Sequence, residues 1–166
     1  SNLLKNNNKI FNSSQSILVQ PTIFTKVNLI QQFDALYGKN ILKNCIGFVE
    51  EKDRLDFEKY LEGNKLSICN MFITKPDVFN QYCLDMFKLI DKLFIYCKSK
   101  KLLNNRNVRL PVFMVERFTS FWFEKYTKVG YLSFARLGDF FFSQTLNKFI
   151  NPLKLPLTFR SYPTIH

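Results

Sequence analysis

Apolar and polar positions fall into blocks with two different periods along this chain. Ile17 to Val19 form a short apolar run that meets Gln20-Pro21, which predicts a strand ending in a loop. Asn28 stands where a helix N-cap is wanted, ahead of Leu29, Phe33, Leu36 and Tyr37 at helical spacing, and Gly38 stops that helix. A second helix is predicted from Glu50 to Leu61, mostly charged, with Leu55, Phe57 and Leu61 as a narrow apolar contact and Gly63-Asn64 as its end. Leu66 to Ile73 is short and apolar almost throughout, so it predicts a buried strand with Asn70 as the polar exception.

Pro76 then opens a long amphipathic helix in which Phe79, Cys83, Met86, Phe87, Ile90, Leu93, Phe94 and Cys97 recur at helical spacing. Pro111 opens another that runs to about Tyr126. Val112, Phe113, Val115, Phe118, Phe121, Trp122 and Phe123 make it apolar around much of its circumference, the pattern of a buried helix, and Gly130 marks its end. From Tyr131 to Phe142 the chain is aromatic without an assignable period. Residues 1–16, rich in Asn, Ser and Lys, read as a tail or linker, with Ser1-Asn2 as a processed or engineered start. Residues 151–166 hold Pro152, Pro156 and Pro163 and read as an extended tail over the surface. One helix-rich α/β domain over residues 17–150 is the expectation.

Composition agrees with a folded domain: 46% of the 166 residues are hydrophobic and 19 are Phe, more than a disordered chain carries. A net charge of +11 predicts attraction to something anionic, whether nucleic acid, an acidic membrane surface or a phosphorylated substrate. The densest basic run, Lys98-Ser99-Lys100-Lys101, is short and falls at a helix end, where the helix dipole favours cations; this argues against a nucleic-acid stripe. Cys45, Cys69, Cys83 and Cys97 fit neither a CxxC pair nor a zinc pattern, and the lone His166 cannot complete one. They read as reduced cytoplasmic thiols packed as small hydrophobes. No apolar run nears the roughly 20 residues of a membrane helix, so membrane contact is expected to be peripheral, at the inner face.

Polar groups in apolar surroundings are the candidates for chemistry. The side chain of Asn70 on a buried strand must find hydrogen-bond partners, which neighbouring backbone or a bound sugar hydroxyl could supply. Glu116-Arg117 sits inside the apolar helix. A buried carboxylate there needs a partner such as Arg109 or Arg117, or must open into a pocket, where it would serve as a general base. There is no glycine-rich phosphate loop, no Gly-x-Ser-x-Gly and no Asp-x-Asp metal motif. Glu50-Glu51 and Asp53-Asp56 lie on a charged helix and read as solvated faces.

Asn70-Met71-Phe72-Ile73, then a helix bearing Phe79, Tyr82-Cys83 and Phe87, then Arg109-x-x-x-Phe113-x-x-Glu116-Arg117-x-x-x-x-Trp122, together resemble the DUF4422 glycosyltransferases of capsule and O-antigen biosynthesis, over about residues 17–130. The resemblance implies the C-terminal, acceptor-side part of a GT-A-like fold that moves a sugar, galactose-type as a guess, from a nucleotide-sugar donor to a glycan or lipid-linked acceptor. It implies Glu116 as the catalytic base and Asn70, Met71, Phe72, Tyr82, Arg109, Arg117 and Trp122 as substrate-binding residues. Any divalent metal would be held by an upstream segment, and no residue here is assigned as a ligand. Asp85 stands where the family usually has Trp, and Val112 where it often has Gly. A non-catalytic domain that docks a polysaccharide-synthesis enzyme is the alternative, and RNA binding a distant third.

Overall fold

The computed structural model describes residues 10–103 and 108–133, so the expectations for the aromatic stretch beyond 133 and for the tail at 151–166 lie outside the described residues. Its elements in order are β1 (Ser16–Val19), β2 (Thr22–Ile23), α1 (Leu29–Tyr37), α2 (Ile41–Ile46), α3 (Glu51–Leu61), β3 (Lys65–Leu66), a 3-10 turn (Ile68–Asn70), β4 (Phe72–Thr74), α4 (Pro76–Ser99), α5 (Leu110–Tyr126) and β5 (Val129–Leu132). The fold is mixed α/β and dominated by helix.

β1 lies between the other two strands of a three-stranded sheet, antiparallel to β4 with Ile17 opposite Ile73, and parallel to β5 with Ile17 opposite Gly130. All four β1 residues are buried, which is why the strand reads as a continuous apolar run rather than an alternating one. β2 and β3 form a separate two-stranded pair. The expected cap of α1 is present as a full capping box: the Asn28 side chain accepts from the Gln31 N–H at 2.8 Å, and the Gln31 side chain accepts from the Asn28 N–H at 3.0 Å.

α4 packs along α5, with Phe72 of β4 wedged between them. Phe72 lies 4.6 Å from Phe123 and 5.3 Å from Tyr82 between ring centroids, and Tyr82 lies 5.4 Å from Trp122 edge-on. Phe57 of α3 closes the other side of α5 against Phe118 and Phe121. These stacks bury large apolar area with defined ring geometry, each pair adding about 0.5–1.5 kcal/mol beyond its burial.

Five expectations change. The strand expected from Leu66 to Ile73 is broken: β3 ends at Leu66, the 3-10 turn follows, and the chain returns as β4. Cys69 and Asn70 take φ of 75° and 49° in that turn, and left-handed backbone cannot continue a strand. The buried stripe of α4 is Tyr82, Asp85, Leu89, Leu93 and Cys97, so Phe79, Phe87 and Phe94 are exposed instead. On α3 the roles of two neighbours are exchanged: Leu55 is 79% exposed and Asp53 is 1% exposed. Gly130 does not end α5, which stops at Tyr126, but sits within β5. The residues expected as a tail join the fold from residue 10, with a helical turn at 10–13 and Ser16 inside β1.

Candidate functional site

The site is built where the 3-10 turn meets the first half of α5. Two serines fix the entry to the turn: Ser67 Oγ donates to the Val19 carbonyl at 2.8 Å, and Ser120 Oγ donates to the Ser67 carbonyl at 3.0 Å. Asn tolerates left-handed backbone, whereas Cys pays about 1–2 kcal/mol there, so Cys69 is held in a strained conformation by its surroundings. Part of that hold is Glu116, whose Oε1 accepts the Cys69 N–H at 2.6 Å. Beside it the Asn70 Oδ1 is buried with no hydrogen-bond partner among the described residues. A buried, unpaired amide oxygen costs about 1–3 kcal/mol, and it belongs to a half-buried residue on a strained turn.

Glu116 is half-buried, and burial raises its carboxyl above the ordinary glutamate range, with the Cys69 N–H, Arg117 and Arg109 pulling the other way. Tyr37 is drawn into the same group. Its ring stacks on Phe113 at 5.3 Å, and burial pushes its phenol up to about 12, opposed by Arg117, reinforced by Glu116 and opposed again by Arg109. Arg109, at the start of α5, is exposed and lies over the Phe113 ring at 5.2 Å. No carboxylate among the described residues pairs with it.

Arg117 is placed differently. At 2% exposure its guanidinium donates to the Phe113 carbonyl at 2.7 Å and to the Gln32 side chain, and lies 4.8 Å over the Phe33 ring; Nε has no partner among the described residues. Burial pulls it down to about 10. No ion pair with Glu116 forms among the described residues, so the charged partner expected for the buried carboxylate is replaced by a backbone N–H.

The remaining residues named from the sequence separate. Met71 is exposed beside the turn, Phe72 packs into the aromatic stack, and Tyr82 is buried with its hydroxyl 2.8 Å from Thr119 Oγ1. Trp122 is buried and donates its indole N–H to Asp85 Oδ2 at 2.9 Å, on a second cleft between α4 and the end of α5. Asn70, Arg109 and Glu116 thus gather at one place with Tyr37, while Phe72, Tyr82 and Arg117 support the fold. Tyr37 and Asp85 were not singled out from sequence as site residues; correct phasing of the α4 stripe, Tyr82 to Asp85 to Leu89, would have placed Asp85 inward. Among the described residues no three His, Cys, Asp or Glu side chains are grouped to hold a metal ion.

Comparisons with curated proteins and with solved structures give no match. A family model described as a domain of unknown function, DUF4422, matches residues 3–128, a span that begins inside the stretch expected as a linker and takes in both Asn70 and Glu116. With well over half of its 166 residues matched, the chain belongs to the DUF4422 family.

Proposed function

We propose that this chain is the acceptor-side part of a glycosyltransferase that moves a sugar, galactose-type as the first donor to try, from a nucleotide-sugar to a growing bacterial surface polysaccharide. The observation that carries the reading is the pairing of Glu116 with the strained Cys69-Asn70 turn: a half-buried carboxylate fixed by one N–H, next to a buried amide oxygen that lacks a partner among the described residues. In the reaction Glu116 takes the proton of an acceptor hydroxyl, the freed oxygen bonds to the anomeric carbon, and the bond from that carbon to the donor phosphate oxygen breaks with its electron pair. A sugar hydroxyl donates to Asn70 Oδ1, and the exposed guanidinium of Arg109 receives the phosphate charge. The chain's +11 charge adds long-range attraction to a pyrophosphate-linked acceptor or an anionic membrane surface, an attraction that salt weakens.

The test is Glu116→Gln in the complete enzyme, which keeps the shape and removes the base. Transfer should fall about 10²–10⁴-fold with the fold intact. Transfer at the unchanged rate would end the assignment.

A further inference from the structure

Ten residues after Glu116, about 15 Å along the axis of α5, a separate concavity opens beside Tyr126. It measures about 390 Å³ and is walled by Lys52 of α3, by Asp77, Gln81 and Asp85 of α4, and by Trp122 and Tyr126 of α5. That volume falls within the roughly 300–1,000 Å³ of small-molecule sites.

Asp85 is the key group. It is only 9% exposed, and its Oδ2 is taken by the Trp122 indole N–H at 2.9 Å. Among the described residues Oδ1 has only the Gln81 amide at 3.5 Å, the outer limit of a hydrogen bond. A carboxylate accepts at about four positions, so a nearly buried acceptor faces the cleft with capacity unfilled. Opposite it, the Lys52 ammonium lies 5.4 Å from the centre of the Tyr126 ring, and that ring is fixed by its hydroxyl donating to Asp53 at 2.5 Å. Tyr126 remains 40% exposed.

The charges select the class of occupant. Two carboxylates repel an anion, Lys52 offsets one of the two negative charges, and no metal-binding group of three side chains is present among the described residues. A neutral polyol suits these groups: hydroxyl pairs donate to Asp85 and Asp77, ring and hydroxyl oxygens accept from Lys52 and Gln81, and C–H bonds pack against the exposed part of Tyr126, whose ring already has the Lys52 and Lys125 ammonium groups over it. We infer that this cleft is a saccharide-binding subsite that holds a neutral sugar unit of the acceptor glycan away from the reacting end. The identification of that sugar with the acceptor rests on the transferase reading; the binding itself does not.

Trp122 is the only tryptophan of the chain and contacts the cleft through Asp85, so its emission reports occupancy. The full chain is titrated with methyl β-galactoside, lactose and maltose. A saturable change in emission is expected with at least one, with dissociation constants on the order of millimolar. Gln81→Ala, at an exposed position, and Asp85→Asn should each weaken it about tenfold. In the complete enzyme Gln81→Ala should raise KM for a long acceptor without lowering kcat. No saturable change with any of the three sugars, or equal affinity in Gln81→Ala, overturns the subsite. Sugar binding that persists while Glu116→Gln transfers normally would instead overturn the transferase assignment of Glu116 and leave the cleft standing.

Discussion

The carboxylate of Glu116 reaches the backbone N–H of Cys69, 47 residues earlier in the chain, and closes on it at 2.6 Å. That bond joins the buried helix α5 to a left-handed turn, and it decides between two ways of keeping a carboxylate inside an apolar helix. Had Arg117 paired with it, the ion pair would favour the charged form. With burial as the dominant influence, the neutral form is favoured instead.

The two arrangements differ in sign when stability is followed against pH. A carboxyl raised above its unfolded value, about 4.3, contributes stability that is fully present below that value and is lost as pH rises through the folded value. Glutamine does not titrate. The melting temperature of Glu116→Gln relative to the native chain should therefore climb as pH rises from about 4 toward neutrality. An ion-paired glutamate would give the opposite trend, with a neutral-pH cost of about 3–5 kcal/mol on losing its charge. Differential scanning calorimetry at several pH values separates them.

Asn70 combines a backbone role and a side-chain role that two substitutions can split. Its φ of 49° suits Gly as well as Asn, whereas Ala there meets the left-handed penalty of about 1–2 kcal/mol. Asn70→Ala should melt lower by that amount and Asn70→Gly close to the native temperature. Both lose the amide oxygen that has no partner among the described residues. If that oxygen awaits a sugar hydroxyl, Asn70→Gly should raise KM in the complete enzyme while remaining stable; normal kinetics would make Asn70 a turn residue only.

Lys125 bonds two aspartates of α3, each at 2.7 Å, but the two are unequal: the Asp53 side chain is 2% exposed and the Asp56 side chain 63%. Removing the cation leaves the buried carboxylate, among the described side chains, with only the Tyr126 hydroxyl, so Lys125→Met should cost about 3–5 kcal/mol. Asp56→Asn alters an exposed, solvent-screened pair and should leave the urea midpoint nearly unchanged. Urea melts of the two variants test the asymmetry; equal effects would show that Asp53 carries no buried charge that depends on Lys125.

Most helices were legible because their signals are local: the Asn28 capping box, Pro76 at the start of α4, and the apolar girth of α5 all act within a turn or two of the residues concerned. What escaped depends on partners remote in sequence. Leu66 to Ile73 has the composition of one strand, yet Glu116, 47 residues from Cys69, helps hold it as a turn. Leu55 looked like the inward residue of α3 and Asp53 the outward one, and only Lys125 and Tyr126, more than seventy residues away, make the aspartate acceptable inside. Phe79, Phe87 and Phe94 share helical spacing with the true α4 stripe but lie on another face, and hydrophobicity alone does not choose between overlapping stripes. The site was half legible: Glu116 and Asn70 stood out as polar groups among apolar ones, whereas Tyr37 looked like ordinary core.

Gly130 tests whether the chain before β1 belongs to the domain. A methyl group added at this position in β5 would collide with Ser14 Oγ and lie 2.6 Å from Ile10 Cγ2, closer than side-chain atoms approach. The Ser14 hydroxyl can rotate aside, but Ile10 belongs to the helical turn at 10–13 and must move as a body or part from the sheet. Gly130→Ala should therefore destabilise by about 1–3 kcal/mol, the usual range for forcing a group into a filled space. Truncating the obstacle reverses the argument: with Ile10→Ala and Ser14→Ala in the background, the added methyl has room, and the same substitution should cost less by at least about 0.5 kcal/mol, the coupling expected of residues in contact. If Gly130→Ala costs the same in both backgrounds, residues 10–14 do not pack on β5 and the expectation of a linker stands. A cost that disappears with the truncated neighbours makes the first described turn part of the folded unit, consistent with a family match that begins at residue 3.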